Sequence, residues 1–149
     1  MHVHCNGIFD VKWSPSDNYI ATASGDRTIA ITDPNTSTSS ALYHLIGHSH
    51  TTKCVTWDPK NNSLLASGGR DGSILLWDLR TRSGGNDGDH APVVTIPYAH
   101  EDIPGKATRR GRLSLTPKSI TSLVYPQDSD HEIISSGAAT GFVSRSRSL

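Results

Sequence analysis

Cysteine is almost missing from this chain. Cys5 and Cys54 are the only two in 149 residues, too few for a disulfide framework. A reducing compartment, cytosol or nucleus, is the simpler setting for such a sequence. Long hydrophobic runs are missing too. Stretches such as Ile74-Leu75-Leu76-Trp77 are only a few residues long, far short of the roughly 20 that a membrane-spanning helix needs. The opening Met1-His2-Val3-His4-Cys5 has no basic stretch followed by an apolar core, so no secretory signal is expected. Charge of one sign is absent: 14 Lys and Arg face 14 Asp and Glu. That balance argues against binding nucleic acid or membrane surfaces by bulk charge. No segment sustains a 3.6-residue apolar period, so essentially no helix is expected. A hydrophobic content of 34% still supplies a core and excludes a disordered charged tail.

What is present is self-similarity. His4–Asp33 reads HCNGIFDVKWSPSDNYIATASGDRTIAITD, and His48–Asp78 reads HSHTTKCVTWDPKNNSLLASGGRDGSILLWD. Trp13 matches Trp57 at a spacing of 44 and Asp26 matches Asp71 at 45, while Thr22 falls on Ser67 and Asp33 on Asp78. A third copy begins at Ile120, with Ser136-Gly137 set against Ser67-Gly68 and Gly141 against Gly72, 69 residues on because of an insertion. In the second copy Thr52–Trp57, Leu64–Gly68, Ser73–Trp77 and Val93–Tyr98 read as short strands. Turn residues at 58–62 and the hairpin signal Asp71-Gly72, both tolerant of positive φ, separate the first three. The run from Ile74 to Trp77 is continuously apolar, as a strand covered on both faces is. Short strands in fours, repeating every 40–45 residues or so, are the signature of a β-propeller, where each blade lies between two others. Gly47-His48 opening a repeat and Trp77-Asp78 closing it resemble the WD40 family pattern. The expected fold is therefore all-β: a partial WD40 propeller of about three four-stranded antiparallel blades. They fall at 1–46, 47–100 and 119–149, with an insertion at 101–118.

His48, Ser67 and Asp71 invite a catalytic-triad reading. The WD40 resemblance implies a different one. There, His in the loop before the repeat bridges the hairpin Asp and the second-strand Ser or Thr, and the Trp indole N–H closes the chain. The expected set is His48, Ser67, Asp71 and Trp77, a buried network that satisfies its own donors and acceptors. No catalytic residue is expected. The first repeat keeps a partial set, His4, Thr22 and Asp26, with Thr32 at the Trp position. The third keeps Ser136 but has Thr140 at the Asp position and Ser146 at the Trp position. His48 with His50, and His2 with His4, are close in sequence, but two dispersed cysteines and no paired ligand spacing argue against a metal. Gly84-Gly85 and Gly88 lie in a polar linker rather than a phosphate cradle. No cofactor and no small-molecule ligand are expected.

Trp77-Asp78-Leu79-Arg80 resembles the Trp-Asp-x-Arg motif of WD40 substrate receptors of cullin-4 RING ubiquitin ligases. The wider sequence is similar to the denticleless family of such receptors. His4-Cys5-Asn6-Gly7-Ile8-Phe9-Asp10 looks like that family's HCNAIFD segment, and residues 68–80 like its GGRDGxIxxWDxR blade. Ser119-Ile120-Thr121 fits the start of its next blade, and Ser136-Gly137-Ala138 also fits. The resemblance covers about residues 4–143. It implies a nuclear receptor that brings cell-cycle and replication substrates, recognised on chromatin when bound to the sliding clamp, to the ligase. It also implies an adaptor-binding set of Trp77, Asp78 and Arg80, in which Arg80 makes the contact and Trp77 and Asp78 fix the strand that presents it. A guanidinium suits that work through several directed, charge-assisted hydrogen bonds. A bland alternative is a solvated charge at a strand end. The family's second Trp-Asp-x-Arg is expected near 146–149, where this chain reads Ser146-Arg147-Ser148-Leu149.

The insertion at 101–118 carries five basic residues against two acids. It reads as a solvated loop, with contact to DNA or an acidic partner as the alternative. Thr116-Pro117 is a candidate proline-directed phosphorylation site, where added charge would offset the basic surroundings. Three repeats cannot close a ring, since propellers have roughly 4–8 blades. Blades are expected to be missing on both sides, which leaves two blade faces open to association.

Overall fold

A computed structural model describes residues 3–36, 40–81, 89–100, 118–127, 132–137 and the backbone of 143–147. Among these residues all regular structure is β-strand, in three sheets. The first holds β1 (Ile8–Trp13), β2 (Ile20–Ser24), β3 (Thr28–Thr32) and β4 (Tyr43–Ile46), an antiparallel meander. The second holds β5 (Thr52–Asp58), β6 (Asn61–Gly69), β7 (Ile74–Asp78) and β9 (Val94–Ile96). The third holds β10 (Ile120–Val124), β11 (Glu132–Gly137) and β12 (Val143–Arg147). The all-β propeller expectation stands. The fourth strand of the second sheet is shorter than expected, because Tyr98 turns to a left-handed φ of 50° just past it.

One strand crosses between repeats. β8 (Asp89–His90) pairs in parallel with β4, so residues expected in the second blade extend the first sheet to five strands. His90 is buried there, edge-on to the Tyr43 ring at 4.9 Å. Covering an outer edge in this way satisfies backbone groups that would otherwise face another chain.

The sheets share a register. In each, the first strand bulges at the same place: between Ile8 and Asp10, Thr52 and Cys54, and Ile120 and Ser122. Beyond it Val11 lies opposite Thr22, Val55 opposite Ser67, and Leu123 opposite Ser135. The third-sheet partner of Ser67 is therefore Ser135. The sequence match to Ser136 is one residue out, and Gly137 stands opposite Ile120 as Gly69 stands opposite Thr52.

Two cores fill the gaps between sheets. Ala21, Ala23, Ile29, Ile31 and Leu45 meet Val55, Trp57, Leu65, Leu75 and Trp77. Cys54, Ala66, Ile74 and Leu76 meet Ile120, Leu123 and Ile133. β7 thus sends Leu75 and Trp77 to one side and Ile74 and Leu76 to the other, which is why its sequence is apolar at every position. Fully burying side chains of this size is worth about 1.5–3 kcal/mol each. Two polar contacts also tie the inner strands: Val55 N–H donates to Asp10 Oδ2 at 3.0 Å and Trp57 Nε1–H to the Lys12 carbonyl at 3.2 Å.

Candidate functional site

At one end of the second sheet, four side chains form a continuous hydrogen-bonded chain. His48 Nδ1 lies 3.0 Å from Asp71 Oδ2, His48 Nε2 lies 2.8 Å from Ser67 Oγ, and Trp77 Nε1 donates to Ser67 Oγ at 2.8 Å. A carboxylate only accepts, so Nδ1 carries the imidazole hydrogen. Nε2 then accepts from the Ser67 hydroxyl, whose oxygen accepts from the indole. Asp71 is further held by the N–H groups of Ser49 and Ser73. Burial raises the Asp71 carboxyl, but the His48 hydrogen bond and charge, with those N–H groups, outweigh it and hold the group at about 2. Gly69 makes room for the ring: a Cβ there would sit 2.5 Å from His48 Nδ1 and 2.7 Å from Asp71 Oδ1.

This arrangement removes the nucleophile reading for these residues. Ser67 is fully buried, and both its bonding partners lie within the sheet. The chemistry it performs is cohesion. It joins the entry loop, the hairpin turn and two strands through groups that are costly to leave unpaired.

The first sheet has a shorter version. His4 Nδ1 lies 2.9 Å from Asp26 Oδ2 and Nε2 lies 2.8 Å from Thr22 Oγ1. With Thr32 in place of an indole, Thr22 Oγ1–H reaches the Ala30 carbonyl at 3.3 Å instead. Burial raises the Asp26 carboxyl, while hydrogen bonds from the Thr28 hydroxyl, the Thr28 N–H and His4 bring it to about 2. In the third sheet His100 Nε2 lies 3.0 Å from Ser135 Oγ. Burial, then the Lys118 charge, push this histidine down from its ordinary value. His100 was not singled out from sequence. The signal was Ala99-His100, standing where Gly47-His48 stands one repeat earlier. It is obscured because Ile120 lies 20 positions after His100, whereas Thr52 lies four positions after His48. Thr140 and Thr116 lie outside the described residues, and Ser146 pairs with Ile133 as Trp77 pairs with Leu65.

At the opposite end of β7 the chain turns outward. Arg80 is 64% exposed and grips Asp78, 14% exposed, with Nε–H to Oδ1 at 2.9 Å and a terminal N–H to Oδ2 at 2.7 Å. The backbone N–H of Arg80 adds a third bond to Asp78. The Arg80 hydrogen bond holds the Asp78 carboxyl below its ordinary value, and Asp78 raises the guanidinium. Two of five guanidinium N–H donors are used, so three remain for an outside acceptor. Trp77, expected among the adaptor-binding residues, is 1% exposed. Its ring is spent inside the sheet, so it can act at the rim only by fixing β7, the part expected of it.

Among the described residues no group of three or more His, Cys, Asp or Glu side chains is placed to hold a metal ion. Cys5 is exposed and Cys54 buried, both as free thiols, and burial pushes the Cys54 thiol up to about 12.

The WD domain, G-beta repeat family matches residues 1–33 and 39–78. The chain carries WD40 repeats and is similar in sequence to denticleless proteins. It is 33% identical to the Denticleless protein homolog of Xenopus tropicalis over 94% of its length, which covers 20% of that protein. It is 33% identical to Protein lethal(2)denticleless of Drosophila melanogaster, over 94% of the chain and 19% of the relative. Identity to Cell division cycle protein cdt2 of Schizosaccharomyces pombe is 37%, over 91% of the chain and 27% of the relative. The WD40 chain thus spans about a fifth to a quarter of these relatives. A chain in the crystal structure of the Mitotic Checkpoint Complex superposes with a TM-score of 0.65 at 22% identity, over 91% of this chain and 34% of that one. At that identity the likeness speaks for the fold alone.

Proposed function

We propose that this WD40 chain acts within a substrate-receptor subunit of a cullin-4 RING ubiquitin ligase, in cell-cycle and replication-coupled protein degradation in the nucleus. Its role is binding rather than catalysis. The partners are the ligase's propeller adaptor and protein substrates, including ones held by the sliding clamp on chromatin. Similarity to denticleless proteins and to a cell division cycle protein supports the reading. The observation that carries it is Arg80: an exposed guanidinium on a turn fixed by Asp78, at the end of a strand anchored by the buried Trp77. Because Asp78 already orients the fork, docking loses little side-chain freedom.

The test is recovery of the adaptor by the wild-type chain and by Arg80→Ala. Loss of two or three charge-assisted bonds should weaken binding at least roughly tenfold. Equal recovery removes Arg80 from the account. A second reading, a WD40 interaction scaffold without a ligase, is favoured by the Asp78–Arg80 pair, since a neutralised rim charge needs no partner. Under that reading neither chain recovers the adaptor.

A further inference from the structure

Asn6-Gly7 is the one Asn-Gly pair in the chain. It lies in the loop between His4 and β1, and both residues are exposed. The Asn6 side chain folds back on its own backbone: Gly7 N–H donates to Asn6 Oδ1 at 2.7 Å. Other asparagines are placed differently. Asn61 Oδ1 accepts from Ser63 N–H, two residues on, and Asn62 Oδ1 from Ser16 N–H of the neighbouring sheet, both at 3.0 Å. At Asn6 the partner is the one nitrogen that can close a succinimide ring on the side-chain carbonyl carbon.

Gly7 serves no steric need. A Cβ there would meet nothing within 4 Å, and its φ lies outside the left-handed range. What the missing side chain does is leave the nitrogen open to close approach. The loop is also held. The Ser24 hydroxyl reaches the Asn6 and Gly7 carbonyls at 3.3 and 3.2 Å, and Gly25 N–H donates to the Gly7 carbonyl at 2.9 Å. Nucleophile and amide are thus kept together, which lowers the entropic part of the barrier to their reaction.

We propose that Asn6 is a covalent modification site, where the side-chain amide is lost through a succinimide and the loop acquires an isoaspartate or an aspartate. Gly7 N gives its proton to a solvent base and bonds to Asn6 Cγ. The Cγ–Nδ2 bond breaks, and that nitrogen takes up a proton and leaves as ammonia. Water then opens the imide at either carbonyl. Attack at the backbone carbonyl leaves the chain running through Cγ, one carbon longer, and turns the old carbonyl into a carboxylate. Gly25 packs on that side, since a Cβ on it would stand 3.0 Å from Asn6 Cγ. The longer chain therefore displaces the bonds that Ser24 and Gly25 make to the loop, and the first sheet weakens.

Incubation of the folded chain at mildly alkaline pH without denaturant, followed by peptide mapping and enzymatic methylation of isoaspartate, tests this. The peptide holding Asn6 should gain about 1 Da and accept methyl groups. The rate should rise with pH, because Gly7 N–H must first lose its proton. Gly7→Ala, which the loop accommodates, should convert at least about tenfold more slowly. The isolated isoaspartyl product should unfold at a lower urea concentration than the unmodified chain. An Asn6 that stays intact in the folded chain, conversion at Asn61 or Asn62 ahead of it, an unchanged rate in Gly7→Ala, or an unchanged urea midpoint would overturn the proposal.

Discussion

Replacing Ser67 by alanine removes one oxygen from the most connected point of the second sheet. That oxygen accepts from Trp77 Nε1 and its proton goes to His48 Nε2, both at 2.8 Å, in a fully buried position. Ser67→Ala strands a buried indole N–H and a buried imidazole nitrogen together. Each orphan costs about 1–3 kcal/mol, so a loss of about 2–6 kcal/mol is expected. That is a large part of the roughly 5–15 kcal/mol that holds a domain folded. The first sheet supplies the control. Thr22 receives no indole, and its hydroxyl serves His4 at 2.8 Å and the Ala30 carbonyl at 3.3 Å. Isosteric Thr22→Val therefore strands one imidazole nitrogen and should cost about 1–2 kcal/mol. Urea unfolding followed by tryptophan fluorescence, with slopes checked for equality, reads both. Equal losses for the two variants, or a Ser67→Ala cost under about 1 kcal/mol, would refute the reasoning.

The two carboxylates give a pH signature. Asp26 and Asp71 sit at about 2 against an ordinary 3.8, so between those values the unfolded chain binds more protons than the folded one. Their contribution, roughly 2 kcal/mol each, is full above about pH 4–5 and is lost as pH falls toward 2. Urea midpoints measured from pH 6 to 2.5 should drop in that window, and Asp71→Asn should flatten the drop; a flat wild-type profile contradicts it. The hairpins offer a stabilising change. Arg27 and Gly72 are equivalent and both adopt φ 76°, a conformation that suits only the glycine. Arg27→Gly should gain about 0.5–1 kcal/mol once glycine's entropic cost is subtracted, raising the melting temperature by a few degrees. An unchanged or lower melting temperature would count against it.

The second blade was legible because each of its features has a local cause: an apolar strand covered on both sides, an Asp-Gly hairpin, and a polar set that must be internally satisfied. The third was read one residue out of register. A Ser-Gly pair was matched to Ser67-Gly68, whereas the glycine that matters is the one beside the histidine ring, Gly69 in one sheet and Gly137 in the other. Its histidine, His100, was hidden by the insertion. β8 left no trace in the sequence, because two residues in parallel pairing carry no periodicity. At the rim the motif located Arg80. Its paired state depends on a side-chain direction that spacing alone does not encode.

The account rests on His48 accepting from Ser67 while donating to Asp71, which fixes which ring nitrogen carries hydrogen. Long-range nitrogen–proton NMR of the folded chain at neutral pH reads this directly. A protonated, slowly exchanging Nδ1 with a bare Nε2 is the expected result, and a His48 that carries its hydrogen on Nε2, or exchanges freely with solvent, would contradict it.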